Sequence, residues 1–181
     1  MSSVIIAGDT SGSITIAAPA AAGTNTITMP ASTGTMALTS DVPDNVLNTY
    51  ATFVNSTEKV TVSATAATGT INYDTNTQSV VYYTSAAVGD WTINFRASSG
   101  ATLNSVIATG ESITLVHLVT LTGAEYRNTV VQVDGSSITP EWQGGAAPTE
   151  GNANSIDSYT YTIIKTGDAA FTILAALTQF A

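Results

Sequence analysis

The chain carries a single histidine, His117, and no cysteine, so any reactive chemistry must come from carboxylates, hydroxyls and amides. Lack of cysteine excludes a thiolate nucleophile, a disulfide and a Cys-ligated zinc or iron–sulfur site. A serine relay through His117 would need a serine on a Gly-x-Ser-x-Gly turn, and the sequence has none. His117 therefore reads as a hydrogen-bonded core or interface histidine. On a symmetry axis, repeated by each copy, it would bind an ion or sense pH. Glu150-Gly-Asn-Ala-Asn-Ser-Ile-Asp157 places oxygen ligands at the short spacing a hard cation takes. It lacks the EF-hand spacing, and polar glycine-containing loops look the same without metal. Glu141 beside Trp142 is the nearest approach to an acid with a sugar platform. Glycoside hydrolysis needs two facing carboxylates, and the thirteen acids fall mostly in turns. The plainer reading packs Trp142 beneath the long loop that follows it. No enzyme activity, cofactor or resident metal is expected.

Charge narrows the partners. Lys59, Arg96, Arg127 and Lys165 stand against 13 acids, for a formal net charge of −9 over 181 residues. Such a chain repels phosphate, so nucleic acid is excluded as an electrostatic partner. No apolar run approaches the ~20 residues that cross a bilayer core, so membrane insertion is not expected. Met1-Ser-Ser-Val opens without a basic or long apolar segment, so no secretory leader is expected. Charged residues make up only 9% of the chain, while Thr numbers 32 and Ser 18. Thr, Val, Ile and Tyr fit pleated surfaces, and the usual surface helix formers are scarce. Missing charge at strand centres also removes a common defence against pairing between chains.

The elements that must position these residues read as strands. Residues 1–42 hold a near-repeat, in which Ile14-Thr-Ile-Ala-Ala-Pro19 is echoed by Ile27-Thr-Met-Pro-Ala-Ser32, each unit closing on Gly-Thr. Met36-Ala-Leu-Thr39 follows as a third short strand. Units this poor in large side chains need neighbours to stack on. Ile14, Ile16, Ile27, Met29 and Leu38 are accordingly the expected attachment or intersubunit residues, with His117 beside them. Asp41–Tyr50 reads as a junction, which divides the chain into a β-repeat segment 1–42, a junction 43–50 and a head 51–181.

In the head, alternation and turn residues predict strands at Lys59–Ala66, Thr70–Tyr73, Ser79–Thr84, Trp91–Phe95, Glu111–Thr122, Thr129–Val133, Ile138–Trp142, Asp157–Lys165 and Ala170–Leu177. Turn signals every ~8–12 residues are those of an all-β sandwich or barrel. The expected fold is a jelly-roll-like antiparallel β-sandwich preceded by a short intertwined β-repeat. Ile113–Leu121 is apolar on both faces, with Leu115, His117 and Val119 on one and Val116 and Leu118 on the other. One face suits the sandwich core and the other a subunit contact. Loops Ala86–Asp90, Gly123–Asn128 and Ala146–Asn154 are the expected binding loops. Tyr126, Arg127 and Trp142 are their expected contact residues, since aromatics and arginine dominate binding hot spots.

Two stretches resemble tailed-bacteriophage virion proteins. Gly12-Ser-Ile-Thr-Ile-Ala-Ala-Pro19 through Gly34-Thr-Met-Ala-Leu-Thr-Ser-Asp41 is similar to a segment recurrent in fibre and appendage proteins. There, apolar-Thr-apolar, Pro-Ala and Gly-Thr units precede a β-rich head. Val131-Gln-Val-Asp-Gly135, Glu141-Trp-Gln-Gly-Gly-Ala-Ala-Pro-Thr149, Gly151-Asn-Ala-Asn154 and Ile156-Asp-Ser-Tyr-Thr-Tyr-Thr-Ile-Ile164 resemble the C-terminal part of tail-fibre-like virion proteins. The resemblance implies a homotrimeric virion component, made in the host cytoplasm and released by lysis. Its expected partners are its own copies, another virion protein (capsid or tail) through residues 1–42, and a host-surface glycan or protein. The chain is short for a long-shaft fibre and suits a small appendage. The alternative is a capsid decoration or head-fibre protein docking on the shell through its N-terminal arm.

Overall fold

Alternation of apolar and hydroxyl-bearing residues gives each strand one face to bury and one to expose. The computed structural model describes Ser3–Ala7 and Ser13–Ala17 as strands, and residues 57–181 throughout. The chain divides into two units, Met1–Thr52 and Phe53–Ala181. In the first, β1 (Ser3–Ala7) and β2 (Ser13–Ala17) form an antiparallel pair with Val4 opposite Ile16 and Ile6 opposite Ile14. The repeat reading missed β1. It placed Ile14 and Ile16 on a strand seeking other chains, and here that strand pairs within its own chain. The expected strands holding Ile27, Met29 and Leu38 lie outside the described residues.

The second unit is an all-β sandwich. Its strands are β3 (Val60–Ala66), β4 (Gly69–Asp74), β5 (Val80–Ser85), β6 (Trp91–Arg96), β7 (Ser112–Thr120), β8 (Asn128–Val133), β9 (Ser136–Ile138), β10 (Glu141–Trp142), β11 (Ile156–Gly167) and β12 (Ala170–Phe180). A single helical turn, α1 (Leu103–Val106), lies between β6 and β7. One sheet runs β10-β12-β11-β7-β5-β3 and the other β4-β6-β8-β9.

The pairing departs from the antiparallel expectation. From β3 to β8 the chain alternates between the sheets, so the strands that become neighbours run parallel: β3 with β5, β5 with β7, β4 with β6, and β6 with β8. The short β10 also runs parallel to β12. Only the β8–β9 and β11–β12 hairpins and the β7–β11 pair of this unit are antiparallel. A jelly roll is built from antiparallel neighbours, and this winding is different. The physical reason is at the corners. Ala67 and Thr68 carry the chain from β3 in one sheet to β4 in the other, with Gly69 at φ +60° making the bend. A glycine at such a corner looks the same in sequence as a glycine in a hairpin.

The core is aromatic. Phe95 of the four-stranded sheet meets Tyr161 of the six-stranded sheet edge-on at 5.1 Å between ring centroids. Trp91 meets Tyr159 likewise at 5.6 Å. Tyr73 Oη crosses between the sheets and donates to the Val116 carbonyl at 3.1 Å.

Two outward faces result, and they differ. On the four-stranded sheet, Asn72, Asn94, Gln132 and Ser137 form one rung, with Asn94 Nδ2 donating to Asn72 Oδ1 at 2.9 Å. The next rung pairs Arg96 with Asp74 at 2.5 Å. On the six-stranded sheet, one rung reads Val60, Val80, Val116, Thr160, Ala176, and the next Val62, Tyr82, Leu118, Ser158, Thr178.

Candidate functional site

His117 lies inside the sandwich and is 0% exposed. It stacks between Tyr83, at 5.4 Å, and Trp91, at 5.8 Å between ring centroids. The expected hydrogen bond is absent: neither ring nitrogen has a partner. Burial alone pushes its pKa down to about 3. The expectation of an intersubunit histidine is therefore corrected, because the 115–117–119 side of β7 faces the core. Val116 and Leu118, on the opposite side, face outward.

The cation reading of residues 150–157 meets a different arrangement. Asp157 is buried and surrounded by donors. Asn152 gives it the backbone N–H at 3.1 Å and Nδ2 at 2.9 Å, and Ser155 Oγ lies 3.1 Å away. The carboxylate holds its own loop together. No group of three or more His, Asp or Glu side chains able to hold a metal occurs among the described residues.

The three expected binding loops converge at one end of the sandwich. Asp90 Oδ1 accepts from the Arg127 backbone N–H at 2.9 Å, and the Arg127 carbonyl accepts from Trp91 N–H at 3.1 Å. The Arg127 guanidinium reaches across to donate to the carbonyls of Pro148, at 3.0 Å, and Thr149. Gly151 N–H donates to the Glu125 carbonyl and Asn154 N–H to the Thr122 carbonyl, both at 2.9 Å. Gly151 sits so close to Tyr126 that an added Cβ would collide with the Tyr126 carbonyl oxygen. Arg127 thus acts as a strap for loop 146–154. Tyr126 is half-buried and packs against the core.

Trp142 lies on the far side of that loop. Its ring meets Tyr159 and Tyr161 edge-on at 6.4 and 6.3 Å, which fixes the indole against the core. Its free side walls a cleft of about 640 Å³ shared with Gln143, Ala146, Pro148, Asn152, Leu177, Thr178 and Gln179. The cleft therefore offers an indole and the side-chain amides of Gln143, Asn152 and Gln179, with no titratable group on its wall. That inventory recognises a neutral polar ligand by hydrogen bonding and stacking, and it contains nothing that moves a proton. Glu141 points to the other side of the edge strand, into a separate cleft with Thr160, Thr162 and Leu174. The sequence reading found Trp142 and the loop but missed Thr178 and Gln179. These reach the cleft only because β12 lies beside β10, a parallel pairing of two residues that leaves no mark in the sequence.

No protein-family model, curated protein or solved structure matches this chain.

Proposed function

We propose that the chain is a structural component of a tailed-bacteriophage virion, a small homotrimeric appendage whose β-sandwich head contacts the host surface. The resemblance of residues 12–41 and 131–164 to phage fibre proteins supports this reading. The observation that carries it is the use made of the second stretch: Glu141–Ile164 supplies β10, the strapped loop, most of the wall of the Trp142 cleft and the strand under it. Rigid loops over a neutral, aromatic-walled cleft are what adhesion without catalysis requires. The fitting ligand is a neutral polar group of a host glycan or protein.

The alternative reading, a capsid decoration or head fibre, draws on the separate first unit with its β1–β2 pair, which suits an arm docking on a shell. One experiment addresses both. Antibody to the 57–181 region is applied to intact virions and imaged. Label on the tail favours the adhesive appendage, label on the shell favours decoration, and virions without label overturn the virion assignment. On tail-labelled particles, Trp142→Ala should abolish attachment of the purified protein to host cells.

A further inference from the structure

We infer that the outward face of the six-stranded sheet is the surface on which a second copy of this chain packs; the inference rests on the self-association in the proposed function. Across β12, β11, β7, β5 and β3 no outward residue is charged. Glu141 on the two-residue edge strand is the first carboxylate met on one side. The face carries Val62 at 65%, Phe180 at 58%, Leu174 at 48% and Val60 at 46% exposure, four of the seven large hydrophobics left exposed among the described residues. Nothing else in the described unit covers it.

The opposite outer face carries one exposed apolar side chain, Val130, beside an amide rung and an Asp74–Arg96 pair. The two faces come from one chain with one composition, so low overall charge does not explain the difference.

Charge selects the occupant. With 13 acids to four bases, two copies meeting on most surfaces bring carboxylates together, which costs affinity and slows encounter. On the uncharged rungs they meet without that cost. Hydroxyl groups there add tolerance, since Thr114 and Thr162 already satisfy one another across β7 and β11 at 3.1 Å. The area is adequate. Five strands of 6 to 12 residues, at ~3.3 Å per residue and ~4.8 Å between strands, present roughly 700 Å². A stable interface buries roughly 600–1,000 Å² per partner. In a trimer the three faces turn inward on the three-fold axis.

The test is the mass of the full chain by light scattering, with circular dichroism as a check on folding. The wild type is expected as a multiple of 18.5 kDa. Val62→Glu, at an exposed position that cannot disturb the core, and Leu118→Glu, at the centre of the face, should each fall to 18.5 kDa with an unchanged β spectrum. Gln132→Glu on the opposite face should keep the wild-type mass. An assembly that survives both Val62→Glu and Leu118→Glu overturns the inference, places the subunit contact elsewhere and leaves the virion assignment standing. A monomeric wild type overturns the inference and the trimer together, while virion labelling still decides the assignment separately.

Discussion

The His117 imidazole lies parallel to the Trp91 indole, with 5.8 Å between centroids and 8° between planes, and neither of its nitrogens is hydrogen-bonded. Trp91 Nε1 is also without a partner. The histidine is thus used as a flat, neutral ring in a stack that continues to Tyr83 on its other side. The surrounding Tyr83 and Tyr159 have their pKa values raised by burial, so they stay neutral and offer His117 no counter-charge.

Acid should therefore weaken this fold through one residue. The unfolded chain takes up the His117 proton near pH 6.5, and the folded chain only at about 3. Between those values the unfolded state binds the extra proton, so stability is full above about pH 6.5 and falls as pH drops toward 3. The total is on the order of 5 kcal/mol at 1.36 kcal/mol per pH unit. Urea titrations from pH 7 to 3.5 should show a shallower decline for His117→Phe than for the wild type. At pH 7 the variant should be as stable or slightly more so, because it removes two unpaired buried nitrogens. Parallel pH profiles for the two proteins would refute the account.

Asp134 performs two tasks in the β8–β9 turn. It sits at φ 51° with Gly135 at φ 81°, the double positive φ that a two-residue hairpin favours. Its carboxylate also accepts from the N–H groups of Leu103 and Asn104, at 2.6 and 3.0 Å, and so satisfies the start of α1. The two tasks separate by substitution. Asp134→Gly keeps the backbone and loses the cap, at about 1 kcal/mol. Asp134→Ala loses the cap and adds backbone strain, for roughly 1 kcal/mol more. Chemical denaturation should rank the wild type, glycine and alanine in that order; equal losses would mean that the cap alone matters.

Gly151→Ala should displace loop 146–154. The new methyl would overlap the Tyr126 carbonyl oxygen and stand 2.8 Å from Leu121 Cδ1, and a backbone atom cannot swing aside. Overpacking of this kind costs typically 1–3 kcal/mol. The Gly151 N–H bond to Glu125 should be lost first, so that amide should exchange faster in the variant. If the cleft is the adhesive site proposed above, host-cell attachment should fall with it, because the loop walls the Trp142 cleft. Unchanged exchange at Gly151 would show that the loop absorbs the methyl.

The placement of strands was legible because alternation and turn residues are local. Trp91–Phe95 and Asp157–Lys165 announce which side chains face the core, and Asp134-Gly135 announces its hairpin. Direction of pairing was not legible, since Ala67-Thr68-Gly69 gives no sign that it leads to the other sheet. The site was half legible. Trp142 and its loop stand out by composition, but Thr178 and Gln179 arrive through a pairing set by the whole sandwich. The role of His117 was legible only to its face: periodicity put it with Leu115 and Val119, while the absence of any partner for it follows from the rings stacked around it.

Arg127 gives the last test, because it was expected as a contact residue and is engaged as a strap. Its guanidinium holds the Pro148 and Thr149 carbonyls, and its own main chain is fixed by Asp90 and Trp91. Removing the side chain leaves those carbonyls to water at the surface, which costs about 1–2 kcal/mol for a charge-assisted pair of bonds. Arg127→Ala should therefore speed hydrogen exchange at the Gly151 and Asn154 amides, whose bonds to Glu125 and Thr122 seat the loop. The Asp134 amide, bonded to the Phe95 carbonyl at 2.9 Å, should keep its protection. Arg127→Lys should fall between, since both bonds come from the one nitrogen Nη1, which an ammonium replaces in kind but on a more flexible stem without the planar guanidinium that pre-orients it. A variant that binds host cells poorly while its loop amides exchange at the wild-type rate would return Arg127 to the role of a direct contact.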